Sequence, residues 1–371
     1  MRFVPVLVLL LLAPFVGEYL LGNITATPTA WAVSLLPLML LYGGGALLIR
    51  EVTRRLGRGY PTMLVLAVAY GLLEEGIVLG TLFNRDYLGL GLLEYGWVPQ
   101  LGTSPVWALY VLGIHSVWSI LVPIVLTEHL FPATGGRPWL GVPGTVVAGL
   151  VYLVGATLVG LGSYYTYRFL ASPAQLLTVA ALAVVCVVIA LLIRPAPQPS
   201  PPQPSQPGPS APQPGAPQSG QPGPGSGRAG RVVRPGHLAA VTLLCGSGFI
   251  LSMELGNTRE LVPAPITVGL MIAMAVVAGV AVLASSRRAG WSSAHALGAL
   301  TGAVATYCWA GFLVQFSVHG FSAVGLLAQL VFVAVAAGLL TLAWRRALLQ
   351  PGLPEHALAS SAWRRGWFKS T

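Results

Sequence analysis

Residues 174–194 read AQLLTVAALAVVCVVIALLIR, a run with no charge, proline or glycine until Arg194 closes it. At about 1.5 Å of rise per residue, such a run spans the roughly 30 Å hydrocarbon core of a bilayer. It has no polar face with which to lie on the surface of a soluble domain. The stretch therefore reads as a membrane helix, and the same reading extends outward from it in both directions. Comparable stretches fall upstream at about 3–22, 31–49, 61–82, 105–127 and 141–163, and downstream at about 237–255, 264–284, 293–316 and 323–344. Of the 371 residues 55% are hydrophobic and only 8% charged, with mean hydropathy +0.76, too few polar groups to cover a soluble protein of this size. The expected fold class is all-α, a polytopic transmembrane helical bundle of about ten helices.

The formal net charge is +10, yet the cations flank apolar stretches instead of gathering in a soluble domain, so no nucleic-acid partner is expected. With the N-terminus inside, seventeen of the twenty Lys and Arg face the cytoplasm, and only Arg85, Arg168 and Arg259 face outward. That bias predicts cytoplasmic N- and C-termini for a multi-pass protein of the cell membrane, with the lipid bilayer as its first partner. Nineteen Arg against one Lys suits a GC-rich bacterial genome. Glu18 breaks the apolar run of the first span and no small-residue cleavage site follows, so that span is read as a retained helix. Cys186, Cys245 and Cys308 each fall within a span without metal-site spacing and are read as packing residues.

Residues 195–227 hold 13 prolines among Gln, Ser, Gly and Ala and can bury nothing. They divide the chain six spans against four. The expected organisation is a six-helix bundle over 1–194, a disordered cytoplasmic linker over 195–236, a four-helix bundle over 237–344 and a basic, aromatic tail over 345–371. The outer loop from Phe83 to Ser104 is rich in Leu, Tyr and Trp and is expected to pack on the mouth of the bundle, with Asn84, Arg85, Asp86 and Glu94 lining an entrance.

Ionisable groups inside a membrane helix cost about 2.5–3.5 kcal/mol each on insertion scales, so they need a partner or a task. Glu74 and Glu75 lie roughly 12 Å from the outer end of the third span, and His115 roughly 15 Å from the outer end of the fourth, which runs the opposite way. These three residues are thus at matching depth and are the candidate catalytic set. Tyr70 falls one turn from Glu74 and Ser119 one turn from His115, adding hydroxyls; Glu18 reaches the same region from the first span. Adjacent helical residues diverge by about 100°, so one glutamate is expected to serve the site while the other braces it. A buried carboxylate beside an imidazole suits water activation, and Glu74, Glu75 and His115 also make a ligand set for a divalent metal ion. Glu51, Glu128, His129 and Glu254, at span ends, are expected to reach water, and Gly43-Gly44-Gly45 to permit either close packing or a break in the second helix.

A double glutamate in one membrane helix, followed by a histidine in the next, resembles the CAAX-protease and bacteriocin-processing family of intramembrane proteases over about residues 60–120. In that family the glutamates open an EExxxR motif and the histidine closes FxxxH. The resemblance implies an intramembrane peptidase in which Glu74, Glu75 and His115 activate water against a membrane-bound peptide or small-molecule substrate. Two other classes remain: a proton-coupled small-molecule transporter using the same groups, and a non-catalytic membrane scaffold.

Overall fold

The computed structural model describes residues 3–193, 233–259, 262–288 and 290–349. Among these the chain forms ten long helices and no strand: α1 Val4–Tyr19, α2 Pro28–Arg55, α3 Tyr60–Val78, α4 Pro105–Leu130, α5 Val142–Tyr167, α6 Pro173–Leu192, α7 Pro235–Arg259, α8 Ala264–Ser286, α9 Ser293–His319 and α10 Ala323–Leu349. Nine are long and apolar enough to cross a membrane; α1 is shorter than the predicted span because the chain turns at Gly22, whose φ is +79°. The fold is the expected polytopic helical bundle. The predicted tether, up to residue 232, and the tail beyond residue 349 lie outside the described residues.

Helix starts follow local chemistry. Pro5, Pro28, Pro61, Pro105, Pro143, Pro173 and Pro265 stand in first turns, where a missing N–H costs nothing. Thr27 and Ser104 accept hydrogen bonds from Ala30 and Trp107 backbone N–H at 3.2 and 3.3 Å, and Ser172 with Gln175 closes a reciprocal capping box. His295 does the same with Ser292, which gives that histidine a structural task at the start of α9.

Burial sorts the helices into layers. In the most apolar window of α4, 67% of residues are buried inside the protein, against 11% for α5 and for α8. On α5 the exposed Val146, Val147, Leu150, Leu153, Val154 and Leu158 form a face suited to lipid tails. The largest apolar core cluster joins Leu20, Val111, Trp118 and Leu126 from helices before the tether to Phe249, Leu300, Tyr307 and Val314 from helices after it. Trp118 stacks on Tyr307 at 4.9 Å and donates its indole N–H to Ala303 C=O at 2.7 Å. With α4 at the centre, His115 is held in the middle of the protein.

Candidate active site

The first four helices share a local irregularity. Each contains a π-helical stretch, Phe15–Tyr19, Met39–Gly43, Glu74–Val78 and His115–Leu121, in which the backbone bond reaches back five residues. Leu20 N–H meets Phe15 C=O, and Leu79 N–H meets Glu74 C=O, both at 2.8 Å. Prolines supply part of the cause, since Pro14, Pro37 and Pro123 each remove a donor from the ladder beside one of these stretches. Every π-helical stretch carries part of one polar centre: Glu18, then Tyr42, then Glu74 with Glu75, then His115 with Ser119.

His115 is the hub. Its Nε2 lies 2.8 Å from Glu75 Oε1 and its Nδ1 lies 3.2 Å from Glu74 Oε2. Ser119 Oγ, one turn along α4, is also 3.2 Å from Nδ1. Glu75 is braced on its far side by the Thr81 hydroxyl, which donates to Oε2 and in turn receives the Trp107 indole N–H at 3.3 Å. Glu74 differs: its side chain is wholly buried beside His115 and the hydroxyls of Tyr42 and Tyr70, and among the described residues neither carboxylate oxygen makes a hydrogen bond of good geometry. Tyr42 packs its ring 5.8 Å from His115 and donates its hydroxyl to Glu18 Oε1. Tyr70 lies against Tyr42 at 6.1 Å, with its buried hydroxyl beside Glu74.

All the predicted site residues therefore meet in one place. Glu74, Glu75, His115 and Ser119 are in direct contact, Glu18 joins them through Tyr42, and Tyr70 flanks Glu74. One expectation needs correction. Regular helical spacing keeps two adjacent glutamates from facing a single partner, yet here both do. The π-helical turn is wider than 3.6 residues, so neighbours diverge by less than about 100°, and an imidazole offers nitrogens in two directions. Tyr42 and Thr81 escape a reading of the sequence because a lone hydroxyl in an apolar helix is common; the only signal is Tyr42 preceding three glycines.

Those glycines close the packing. The helix runs unbroken through Gly43-Gly44-Gly45, and a Cβ on Gly44 would stand 2.9 Å from the Tyr152 backbone nitrogen, so the run lets α5 approach. Gly17 does the same between α1 and α4: a Cβ there would lie 2.8 Å from Ser119 Oγ. Above the centre the outer loop packs as expected, with Arg85 stacked over Trp97 at 4.8 Å and Tyr95 bonded to Val262 C=O at 2.5 Å and Thr267 Oγ1 at 2.6 Å. Tyr87 rests on Tyr167 at 4.5 Å, and burial, reinforced by the charge of Glu75, pushes its phenol well above the ordinary range.

A second polar cluster sits at the opposite end. Arg50, fully buried, bonds Glu51 at 2.6 Å, Glu128 at 2.9 Å, Gly135 C=O at 2.5 Å and Arg137 C=O at 2.9 Å, with its guanidinium 3.3 Å from the Trp139 ring centre. Arg54 and Tyr60 complete the shell of Glu128, and Glu51 accepts the Trp139 and Leu140 backbone N–H groups. His129 is buried as well, its Nδ1 2.8 Å from Val125 C=O. Glu51, Glu128 and His129 thus do not reach out to water as a position at helix ends suggests. The loop after α4 folds back over the two glutamates, a long-range contact invisible to a local reading.

Residues 7–351 match the uncharacterized membrane protein family. No curated protein and no solved structure matches the chain. The family match overturns the resemblance to the CAAX-protease and bacteriocin-processing family. The resemblance rested on three side chains, while Leu79 or Gly80 stands where that family has arginine and Val111 where it has phenylalanine. Buried carboxylates seek an imidazole in any membrane bundle, so the pairing alone identifies no family.

Proposed function

The chain belongs to the uncharacterized membrane protein family, so its work is done in or beside a bilayer, and we propose that it is an intramembrane hydrolase of the cell membrane. Glu74, Glu75 and His115 form its water-activating centre, and its substrate is a membrane-bound peptide or small molecule. The observation that carries this reading is the asymmetry of the two glutamates. Glu75 has both oxygens engaged, by His115 and Thr81, and holds the imidazole in place; Glu74 lies against the same ring at 3.2 Å with neither oxygen in a hydrogen bond of good geometry among the described residues. A buried carboxylate held by weak hydrogen bonds alone is a strong proton acceptor. Glu74 takes one proton from water as the hydroxide adds to the electrophilic carbon and gives that proton to the leaving group as the scissile bond breaks, while His115 stabilises the developing charge. Tyr42 and Ser119 hold the ring and orient the water.

The test works on an unidentified substrate. The full chain in proteoliposomes is incubated with membrane extract in ¹⁸O-water, and products are scored for one incorporated ¹⁸O. Wild type should give labelled products that fall by at least about 100-fold in Glu74→Gln, the scale of general-base catalysis. Equal labelling in wild type and Glu74→Gln would end the hydrolase reading.

A second reading has its own support. Tyr42 packs its ring on His115 and donates its hydroxyl to Glu18 on α1, so the polar groups extend from the centre to a third carboxyl, which suits proton movement in a coupled transporter. It requires solute flux driven by a pH gradient, lost in Glu18→Gln, with no labelled product. A scaffold would show neither.

A further inference from the structure

The site gathers more carboxyl groups than basic partners. Glu74 and Glu75 share the imidazole of His115 and Glu18 is joined to it through Tyr42, all buried among apolar helices. One donor atom from each of Glu74, Glu75 and His115 lies within 4.8 Å of the others. We propose that this centre holds one divalent cation of borderline hardness, Zn²⁺ or Mn²⁺, between Glu74 and Nδ1 of His115, with Glu75 as the positioning residue on Nε2. This rests on the reading of these residues as the working centre and supplies its cofactor.

Three features assign the roles. The Nδ1 to Glu74 Oε2 separation is 3.2 Å, without the geometry of a hydrogen bond. Ligand bonds of about 2.0–2.1 Å in a tetrahedral site put neighbouring donors about 3.3 Å apart, so this pair already has the spacing of two ligands on one ion. The Nε2 side is different: 2.8 Å to Glu75 is hydrogen-bond distance, and Thr81 fixes the far oxygen. A carboxylate accepting the second ring N–H is how metal-bound histidines are oriented and made more basic. Finally, Glu74 is wholly buried, and among the described residues neither its oxygens nor the nearby Tyr70 hydroxyl makes a hydrogen bond of good geometry. An imidazole nitrogen with hard oxygens matches Zn²⁺ or Mn²⁺ better than the all-oxygen shell Mg²⁺ prefers.

The full chain in nanodiscs, stripped with EDTA and re-equilibrated with Zn²⁺ or Mn²⁺ alone, should bind one equivalent by elemental analysis. Glu74→Gln and His115→Gln should lose it, Glu75→Gln should keep one equivalent with at least tenfold weaker affinity, and Glu254→Gln should bind as wild type. X-ray absorption on the wild-type Zn²⁺ form checks the assignment without a variant that might misfold: one imidazole and otherwise oxygen neighbours are expected. Sulfur, two or more imidazoles, or no bound metal overturns the proposal. Failure here is distinct from failure of the hydrolase reading. A metal-free chain that still gives Glu74-dependent ¹⁸O products sinks the cofactor and keeps the enzyme; a metal-loaded chain without such products does the reverse.

Discussion

Thr81 illustrates how much a single hydroxyl can decide. It is buried, it donates to Glu75, and it accepts the Trp107 indole N–H. Thr81→Val keeps the shape and removes the hydroxyl, leaving one carboxylate oxygen of Glu75 and the Trp107 indole N–H without this partner inside the protein. That should lower stability by about 1–3 kcal/mol, read as a fall in the thermal unfolding midpoint in detergent; an unchanged midpoint would mean Glu75 does not depend on this bond. Sequence reading finds Glu74, Glu75 and His115 because a charge in an apolar helix is conspicuous on energetic grounds. It cannot find Thr81 or Tyr42, whose residue types are ordinary in membrane helices and whose importance comes from what stands opposite them. His295 shows the converse: it is as polar as His115, but it caps α9 by bonding Ser292.

At the scale of elements, hydropathy gives the ten helices and proline marks most of their starts, since both are local properties. The π-helical stretches are not legible in the same way, although Pro14, Pro37 and Pro123 lie beside three of them. They place the site by turning Glu18, Tyr42, Glu74 with Glu75, and His115 toward one axis, and close helix approach holds them there. Gly17→Ala tests that approach. The new methyl would stand 2.8 Å from Ser119 Oγ, forcing either α1 away from α4 or the serine away from His115. A loss of about 1–3 kcal/mol is expected, with partial recovery in the Gly17→Ala, Ser119→Ala double variant; strictly additive losses would show that the two helices do not press together at this point. The Arg50 cluster pins the other ends of α2 and α4. Arg50→Met strips Glu51 and Glu128 of a shared buried cation and should cost about 3–5 kcal/mol, seen as loss of folded protein in membranes. A variant as abundant and heat-resistant as wild type would remove that cluster from the account of stability.

For the molecule as a whole, the proline-rich stretch invites a division into six helices and four, because composition is read stretch by stretch and says nothing about which helices meet. The helices on either side of it share a core. Gln329 Nε2 donates to Leu20 C=O at 2.7 Å, His319 Nε2 lies 2.9 Å from Asn23 C=O, and Trp118 stacks on Tyr307. Within a bilayer, apolar contact between helices gains little over contact with lipid, so close packing and buried hydrogen bonds must hold such a joint, at about 0.6–2 kcal/mol per bond. Residues 1–194 and 228–371, expressed as two chains with a tag on one, should therefore co-purify from membranes in equal amounts. Gln329→Leu removes the most buried of these bonds and leaves a backbone carbonyl at the end of α1 without its partner, so it should weaken recovery of the untagged chain, while Leu244→Ala, on an exposed face of α7, should not. Because α4 carries both His115 and the surface that meets α9, the joint bears on the site as well. If the two chains separate freely and the first alone gives full Glu74-dependent chemistry, the helices after the tether contribute nothing to the centre; if activity returns only on co-expression, α9 and α10 are part of what holds α4, and therefore His115, in register.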